Sequence, residues 1–378
     1  MHHRRDIFRK ILGAAGAARS LSAQSAAPLP FLQNVTESEA TLAWPPAQSA
    51  PLSIEWSSGN GRWHSCPTSQ AATWTDLGPS TQQSFVTLSG LPPGGRIAYR
   101  GAWNQPQEAS FRTPRLAPAT FRFLAFGDSG VASDAQFALS RLMAADDPDF
   151  TLHTGDIIYP YTTPEGIRER YFDCYGQMMA RCPMYISLGN HDCMISQGNP
   201  LLSIHRLPAH PAGGRYYSFR WNAAHFIALD TNSLADPAML AWFDQELLQP
   251  TVWRIVFFHH PPYTRGTHAH DPICLEVERL LAPRLESAGV DLVLMGHDHN
   301  YQRFLPIGQT TYCVTGGGGA GLYYVGSSRR HAVAASAHHY LRVDVQGLML
   351  RATAIGADGQ AIDDFTLSKY PRRTPRAL

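Results

Sequence analysis

Seven short runs of nearly unbroken apolar residues, the first at position 121, constrain this chain more than any other feature. They are FRFLAF (121–126), DFTLHT (149–154), PMYISL (183–188), HFIALD (225–230), WRIVFF (253–258), VDLVLM (290–295) and TYCVT (311–315). A strand that is apolar at consecutive rather than alternate positions has both faces buried, as happens in sheets covered by helices. Helical patterns lie between several of the runs. SDAQFALSRLMAAD (133–146) offers Ser133 as N-cap and gathers Phe137, Leu139, Leu142 and Met143 on its apolar side. DPAMLAWFDQELLQ (236–249) offers Asp236 as N-cap, with Pro237 at the first helical position. The pattern predicts an α/β domain.

Upstream the pattern changes. Residues 28–113 are rich in Ser, Thr, Pro and Gly, and ATLAW (40–44), LSIEW (52–56), SFVTL (84–88), IAYRGAW (97–103) and ASFRT (109–113) read as short strands. In LSIEW the residues Leu52, Ile54 and Trp56 fall on one face at period two. Several strands with turn signals (SGNG, LPPGG) and no helices between them predict a small β-sandwich. TPRLAPAT (113–120) reads as the linker to the α/β domain. NVT at 34–36 matches a glycosylation sequon, a weak motif. GGGGAG (316–321) lacks the Lys-Ser/Thr of a P-loop and reads as a tight loop, while residues 338–359 read as a terminal β-hairpin turning at VQG.

Five apolar runs end in a residue able to bind a metal. FLAF is followed by GDSG, TLHT by GDIIY, ISL by GNHD, IVFF by HHPPY and LVLM by GHDH. In open α/β sheets ligands bind outside the carboxyl ends of the strands, so Asp128, Asp156, Asn190, His259, His297 and His299 are expected at one rim. Taken singly, Gly-Asp and Asn-His are ordinary turn chemistry; recurrence at strand after strand is what predicts a metal site. The donors are carboxylate, imidazole and amide, with a phenol nearby at Tyr159 and no cysteine. Such a set suits Zn, Mn or Fe. It exceeds what one tetrahedral ion uses, whereas two ions about 3.5–4 Å apart sharing a carboxylate would use it all. His297 and His299 are spaced i, i+2, so extended backbone sends both imidazoles to one face.

Composition excludes several classes. The chain has 378 residues, 44% of them hydrophobic, enough for one large domain or a medium domain with a smaller partner. Lys+Arg 31 against Asp+Glu 30 leaves a formal charge of +1, so no global basic field draws in nucleic acid and an anion must be held locally. No apolar run approaches the roughly 18 residues needed to span a bilayer. Residues 1–27, with Arg4 and Arg5 ahead of ILGAAGAA, resemble a twin-arginine export signal, which implies a periplasmic or secreted protein; the other reading is a short basic amphipathic helix. The six cysteines (66, 174, 182, 193, 274 and 313) include no CxxC pair. Export would permit disulfides, with Cys174, Cys182 and Cys193 nearest in sequence; buried free thiols are the alternative. Residues 371–378 form a basic tail.

Together, GDSG, GDIIY, GNHD, VFFH and GHDH resemble, in order, the five motif blocks of the calcineurin-like metallophosphoesterases, and Tyr159 makes the set similar to the purple acid phosphatases. The stretch from PFLQNVTESEATLAW through SFRTP resembles the fibronectin-III-like domain that precedes the catalytic domain in larger members. The resemblance implies a fibronectin-III-like β-sandwich over 28–115 and a metallophosphoesterase domain, a β-sandwich core flanked by helices, over 116–370. It implies that Asp128, Tyr159 and His299 hold Fe(III), that Asn190, His259 and His297 hold a divalent ion (Fe, Zn or Mn), and that Asp156 bridges them. Two carboxylates and a phenolate against +3 and +2 leave about +2, which suits a phosphate dianion.

The implied reaction is hydrolysis of a small phosphate monoester by metal-bound hydroxide, an acid phosphatase activity. A phosphodiesterase or nucleotide hydrolase built on the same core is the alternative, and a non-catalytic phosphate-binding protein a third reading. His191 is the first candidate for contacting substrate, beside Asn190, and for protonating the leaving group. His268, nine residues after His259, is the second, with His270 its rival. Asp192 is expected to orient His191, and His260 to pack behind the ligands.

Overall fold

A computed structural model of the chain describes residues 29–369, apart from 47, 49, 73–81, 102–106 and 116–118. The expected export signal (1–27) and the expected basic tail (371–378) therefore lie outside the described residues. Among the described residues eight strands form the N-terminal unit: β1 (Phe31–Gln33), β2 (Glu39–Ala43), β3 (Ser53–Ser57), β4 (His64–Pro67), β5 (Ser69–Ala72), β6 (Gln82–Ser89), β7 (Arg96–Gly101) and β8 (Gln107–Arg112). They make two four-stranded sheets, β1-β2-β6-β5 and β4-β3-β7-β8, antiparallel throughout. Leu42 and Trp44 of one sheet side meet Ile54, Trp56 and Tyr99 of the other in one apolar core. Leu52 departs from expectation: it lies one residue outside β3 and is 93% exposed. Its carbonyl accepts from the Thr68 amide (2.9 Å), so the backbone stays paired at the strand end while the side chain faces solvent.

The larger unit holds β9 (Phe121–Phe126), β10 (Phe150–His153), β11 (Met184–Ile186), β12 (Tyr217–Trp221), β13 (Ala224–Ala228), β14 (Trp253–Phe257) and β15 (Leu292–Met295). It continues through β16 (Tyr301–Phe304), β17 (Thr311–Thr315), β18 (His331–Ala335), β19 (His339–Gln346), β20 (Met349–Gly356) and β21 (Ala361–Ser368). These strands form a six-stranded sheet, β11-β10-β9-β19-β20-β21, and a seven-stranded sheet, β12-β13-β14-β15-β17-β16-β18. Phe123, Ala125, Phe150 and Leu152 of the first face Phe226, Ala228, Ile255, Phe257, Leu292 and Leu294 of the second. Phe123 and Phe150 stack at 5.3 Å, and Phe226 meets them edge-on at 5.3 and 5.0 Å. Such aromatic pairs contribute about 0.5–1.5 kcal/mol each beyond their buried area.

The alternate residues of the same strands face outward and are buried too. Leu124 and Phe126 lie under the helices Asp134–Ala145 and Asp173–Met179. Ile227, Val256 and Val293 lie under Pro237–Leu247, Pro272–Leu280 and Ala282–Ser287. This α/β/β/α layering is why the runs are apolar at every position. Ser133 and Asp236 cap their helices as expected, accepting from the amides of Gln136 and Ala238. The hairpin of β19 and β20 forms with its turn after Gln346, but it is not terminal, because β21 adds a third strand. All six cysteines are free thiols. The two units touch through the Tyr99 hydroxyl on the Ala180 carbonyl (2.8 Å) and the Gln83 amide on the Ile204 carbonyl (2.8 Å).

Candidate metal centre

Strands β9, β10 and β11 run parallel in one sheet, and β13, β14, β15 and β17 run parallel in the other. Their carboxyl ends meet at a common rim. Asp128, Asp156 and Asn190 follow the first three, His259 follows β14, and His297 and His299 follow β15. The side chains converge. His259 Nε2 is 3.1 Å from Asn190 Oδ1 and 3.5 Å from Asp156 Oδ2, and His299 Nε2 is 3.5 Å from Asp128 Oδ1. Donor atoms of Asp128, Asp156 and His259 lie within 4.8 Å of one another. The Tyr159 hydroxyl joins them, 3.1 Å from Asp128 Oδ1, 2.9 Å from Asp156 Oδ2 and 2.9 Å from His299 Nε2.

The backbone is bent to achieve this. Asp128, Asp156 and His297 adopt φ of 58°, 53° and 71°, a left-handed conformation that costs a non-glycine residue roughly 1–2 kcal/mol. Each follows a glycine, as does Asn190. A Cβ at Gly189 would lie 2.1 Å from Asp156 Oδ1, and one at Gly296 would lie 2.4 Å from Asp128 Oδ2. The glycines are therefore where one donor loop presses on the carboxylate of another. Hydrogen bonds fix the rings: His259 Nδ1 on the Thr154 carbonyl (2.9 Å) and His299 Nδ1 on the Gly321 carbonyl (2.6 Å). Both leave Nε2 as the donor atom, the usual arrangement behind a metal-ligating histidine.

Burial and charge act on the cluster together. Burial pushes the Asp128 carboxyl well above the usual carboxylate range, and the neighbouring Asp156 charge adds to this. Burial works against ionisation of Asp156 too, but the charge and hydrogen bond of His259 hold it well below that range. His259 is correspondingly raised to about 9, the pull of Asp156 exceeding the cost of burial. Burial lowers His297 to about 3, with His259 and His268 adding repulsion, and lowers His299 to about 4. Burial and the two carboxylates push the Tyr159 phenol well above its ordinary value. Oxygen and nitrogen donors only, two buried carboxylates with donor atoms within 4.8 Å and the neutral imidazoles of His297 and His299 form a set that fits metal cations, and a cation would take the place of the proton that His259 carries. A cation would favour the ionised form of Asp128 and of Tyr159, which the protein groups alone oppose.

Other expected residues divide. His191 Nδ1 lies 2.7 Å from the Pro160 carbonyl, and its ring is 4.5 Å from that of Tyr159. Asp192 does not orient it. Asn190–Cys193 forms a single helical turn, in which successive side chains diverge by about 100°. The Asp192 carboxylate instead accepts from the amides of Ile157 (2.9 Å) and Gly189 (2.8 Å), tying the loop after β10 to the loop after β11. His268 reaches the site, its ring 4.0 Å from His297. His270 does not; it is exposed on the turn beyond. His260 is buried behind the ligands, its Nδ1 2.8 Å from the Thr231 hydroxyl.

Three participants escaped the sequence reading. Asp271 Oδ2 lies 2.7 Å from His268 Nδ1 and 3.3 Å from His297 Nε2. Tyr323 stacks on His299 at 4.0 Å and 9°. Asp298, between the two histidines of GHDH, accepts from the Thr264 hydroxyl and from the His268 amide (3.2 Å), anchoring the His268 loop. Only Asp298 had a signal, its place within a motif.

A family model described as calcineurin-like phosphoesterase matches residues 121–301, the span from β9 to the start of β16 that holds every candidate donor. Among curated proteins, probable purple acid phosphatase 20 of Arabidopsis thaliana is 25% identical over 296 residues, covering 72% of this chain and 67% of that protein. Purple acid phosphatase 23 of the same plant is 27% identical over 264 residues, covering 58% of this chain and 57% of its own length. Among solved structures, purple acid phosphatase PPD1 from yellow lupin seeds superposes with a TM-score of 0.76 at 18% identity, covering 92% of this chain and 77% of that one. The fold is thus the sheet-dominated metallophosphoesterase fold, with an all-β unit ahead of it.

Proposed function

We propose that this chain, which carries a calcineurin-like phosphoesterase domain, hydrolyses small phosphate monoesters at a two-metal centre of Fe(III) and a divalent ion. The observation that carries the finer reading is the Tyr159 hydroxyl within 3.1 Å of Asp128, Asp156 and His299. A phenol among carboxylates and imidazoles is a donor for a hard trivalent ion. Asp128, Tyr159 and His299 would hold the iron, Asn190, His259 and His297 the divalent ion, and Asp156 would serve both. When bound, such a pair supplies Lewis acidity at a phosphoryl oxygen and lowers the pKa of a water to about 7.

The chain's own residues do the rest. His191 has Nδ1 committed to the Pro160 carbonyl, so it acts as the imidazolium, moving the Nε2 proton to a departing alkoxide and keeping the Nδ1 hydrogen on the carbonyl. His268 has Nδ1 committed to Asp271, which likewise leaves Nε2 for the substrate. Tyr323, lying flat on His299, keeps water from one face of that ring. The N-terminal β unit is proposed as fibronectin-III-like, and residues 1–27 as an export signal that would make the protein periplasmic or secreted. Among the described residues no helix is long and apolar enough to cross a membrane. The net charge of +1 favours a small phosphorylated substrate over nucleic acid.

The purified protein should show a visible absorption band and contain iron, and it should prefer p-nitrophenyl phosphate to bis(p-nitrophenyl) phosphate. A colourless, zinc-only protein that prefers the diester would overturn the assignment. His191→Ala should lower turnover of esters with poor leaving groups by about 10²–10⁴-fold, and far less for good ones. Equal losses on both would remove His191 as proton donor.

A further inference from the structure

Asp271 stands at the N-cap of the helix Pro272–Leu280 and does not cap it. Elsewhere the side chain at this position does what its chemistry favours: Ser133, Thr163 and Asp236 each accept from an amide of the turn that follows. The Asp271 carboxylate turns to two imidazoles instead. One oxygen, Oδ2, is 2.7 Å from His268 Nδ1 and 3.3 Å from His297 Nε2, and the two rings lie 4.0 Å apart. A carboxylate only accepts, so both of these nitrogens carry hydrogen. The nitrogens left over are His268 Nε2 and His297 Nδ1. The first belongs to a histidine assigned to the substrate, the second to one assigned to a metal.

We propose that Asp271 is a positioning residue, whose carboxylate fixes the tautomer of His268 and of His297 at once and so couples substrate contact to metal binding. Partners of this kind typically change metal affinity or activity by about 10–100-fold when removed. The role of His268 in turnover rests on the phosphatase reading; the two tautomers and the metal affinity do not.

The test uses the full chain. Long-range nitrogen–proton NMR of the histidine rings in metal-free protein should show hydrogen on Nδ1 of His268 and on Nε2 of His297, and Asp271→Asn should scramble both. Calorimetric zinc affinity should fall by about 10–100-fold in Asp271→Asn. Turnover of p-nitrophenyl phosphate, measured at metal concentrations that saturate every variant so that the His297 arm does not contribute, should fall similarly in the wild-type background but by less than about 3-fold in a His268→Ala background, since residues acting as one unit are not additive. Asp271→Ser, which restores a capping hydroxyl, should keep or raise the melting temperature while losing zinc affinity in the same way. Unchanged tautomers and zinc affinity in Asp271→Asn would overturn the proposal, as would turnover losses that multiply across the two backgrounds. A lowered melting temperature in Asp271→Ser would also overturn it, by assigning the losses to the helix. If the wild type cleaves no phosphate ester, the phosphatase reading fails, and the NMR and zinc results still decide the role of Asp271.

Discussion

Replacing His205 should flatten the protein's response to acid. This residue is buried at the seam between the two units. Its Nδ1 lies 2.7 Å from the Leu201 carbonyl, its Nε2 lies 2.9 Å from the Tyr171 hydroxyl, and the Phe31 ring meets it edge-on. Burial lowers its pKa to about 4; the Leu201 carbonyl opposes that shift and the Arg206 charge reinforces it. The ordinary histidine value in an unfolded chain is about 6.5. The folded value is the lower one, so the neutral ring is favoured in the fold. Its contribution is complete above pH 6.5 and is lost as the pH falls from there toward 4.

A gap of about 2.5 units at 1.36 kcal/mol per unit sets a ceiling of roughly 3.4 kcal/mol, of which about 2 kcal/mol is lost by pH 5. His205→Gln keeps one donor and one acceptor but does not titrate. Urea unfolding of both proteins at pH 7.5 and pH 5 gives the stability difference at each pH. A buried histidine that does not interact with His205, such as His339, titrates in both proteins and cancels. The wild-type advantage at pH 7.5 should shrink by about 2 kcal/mol at pH 5. A difference that does not change with pH would refute the argument.

Tyr159→Phe removes the hydroxyl shared by Asp128, Asp156 and His299; it should abolish any visible absorption band while leaving far-ultraviolet circular dichroism unchanged. Gly189→Ala sets a methyl 2.1 Å from Asp156 Oδ1, and should lower bound metal per chain and turnover at least about 10²-fold, since small misplacements at such a centre carry that cost. Chelation should abolish phosphatase activity and lower the melting temperature, with both restored by added metal; each factor of 100 in ligand excess over Kd is worth about 2.7 kcal/mol.

What could be read from the chain depended on whether its cause was local. FRFLAF and TYCVT match β9 and β17 residue for residue, because burial on both faces leaves a run of apolar side chains with polar ends. The five strand ends were legible for the same reason, as parallel topology sends consecutive carboxyl ends to one rim. Asp192 was misread because adjacency in sequence suggested contact, and a helical turn separates the two side chains. Asp271 and Tyr323 left no trace: one resembles an ordinary N-cap, and the other follows a glycine-rich loop whose path was unreadable. Nor does the sequence reveal that Asp128, Asp156 and His297 are left-handed. That conformation is imposed by loops converging from two sheets.

The position of β9 between β10 and β19 also bears on when the centre can form. Phe123 pairs with Phe150 on one side and with Val343 on the other. A ribosome that has released the chain through His299 has made every candidate donor, yet the strand that carries Asp128 still has one bare edge. That edge waits for about forty further residues, and unpaired strand edges invite association with other chains. The brace beside the candidate centre therefore comes from a segment that supplies no candidate donor of its own. A chain cut short before β19 would carry all seven donor residues and still lack the brace that holds the first of them.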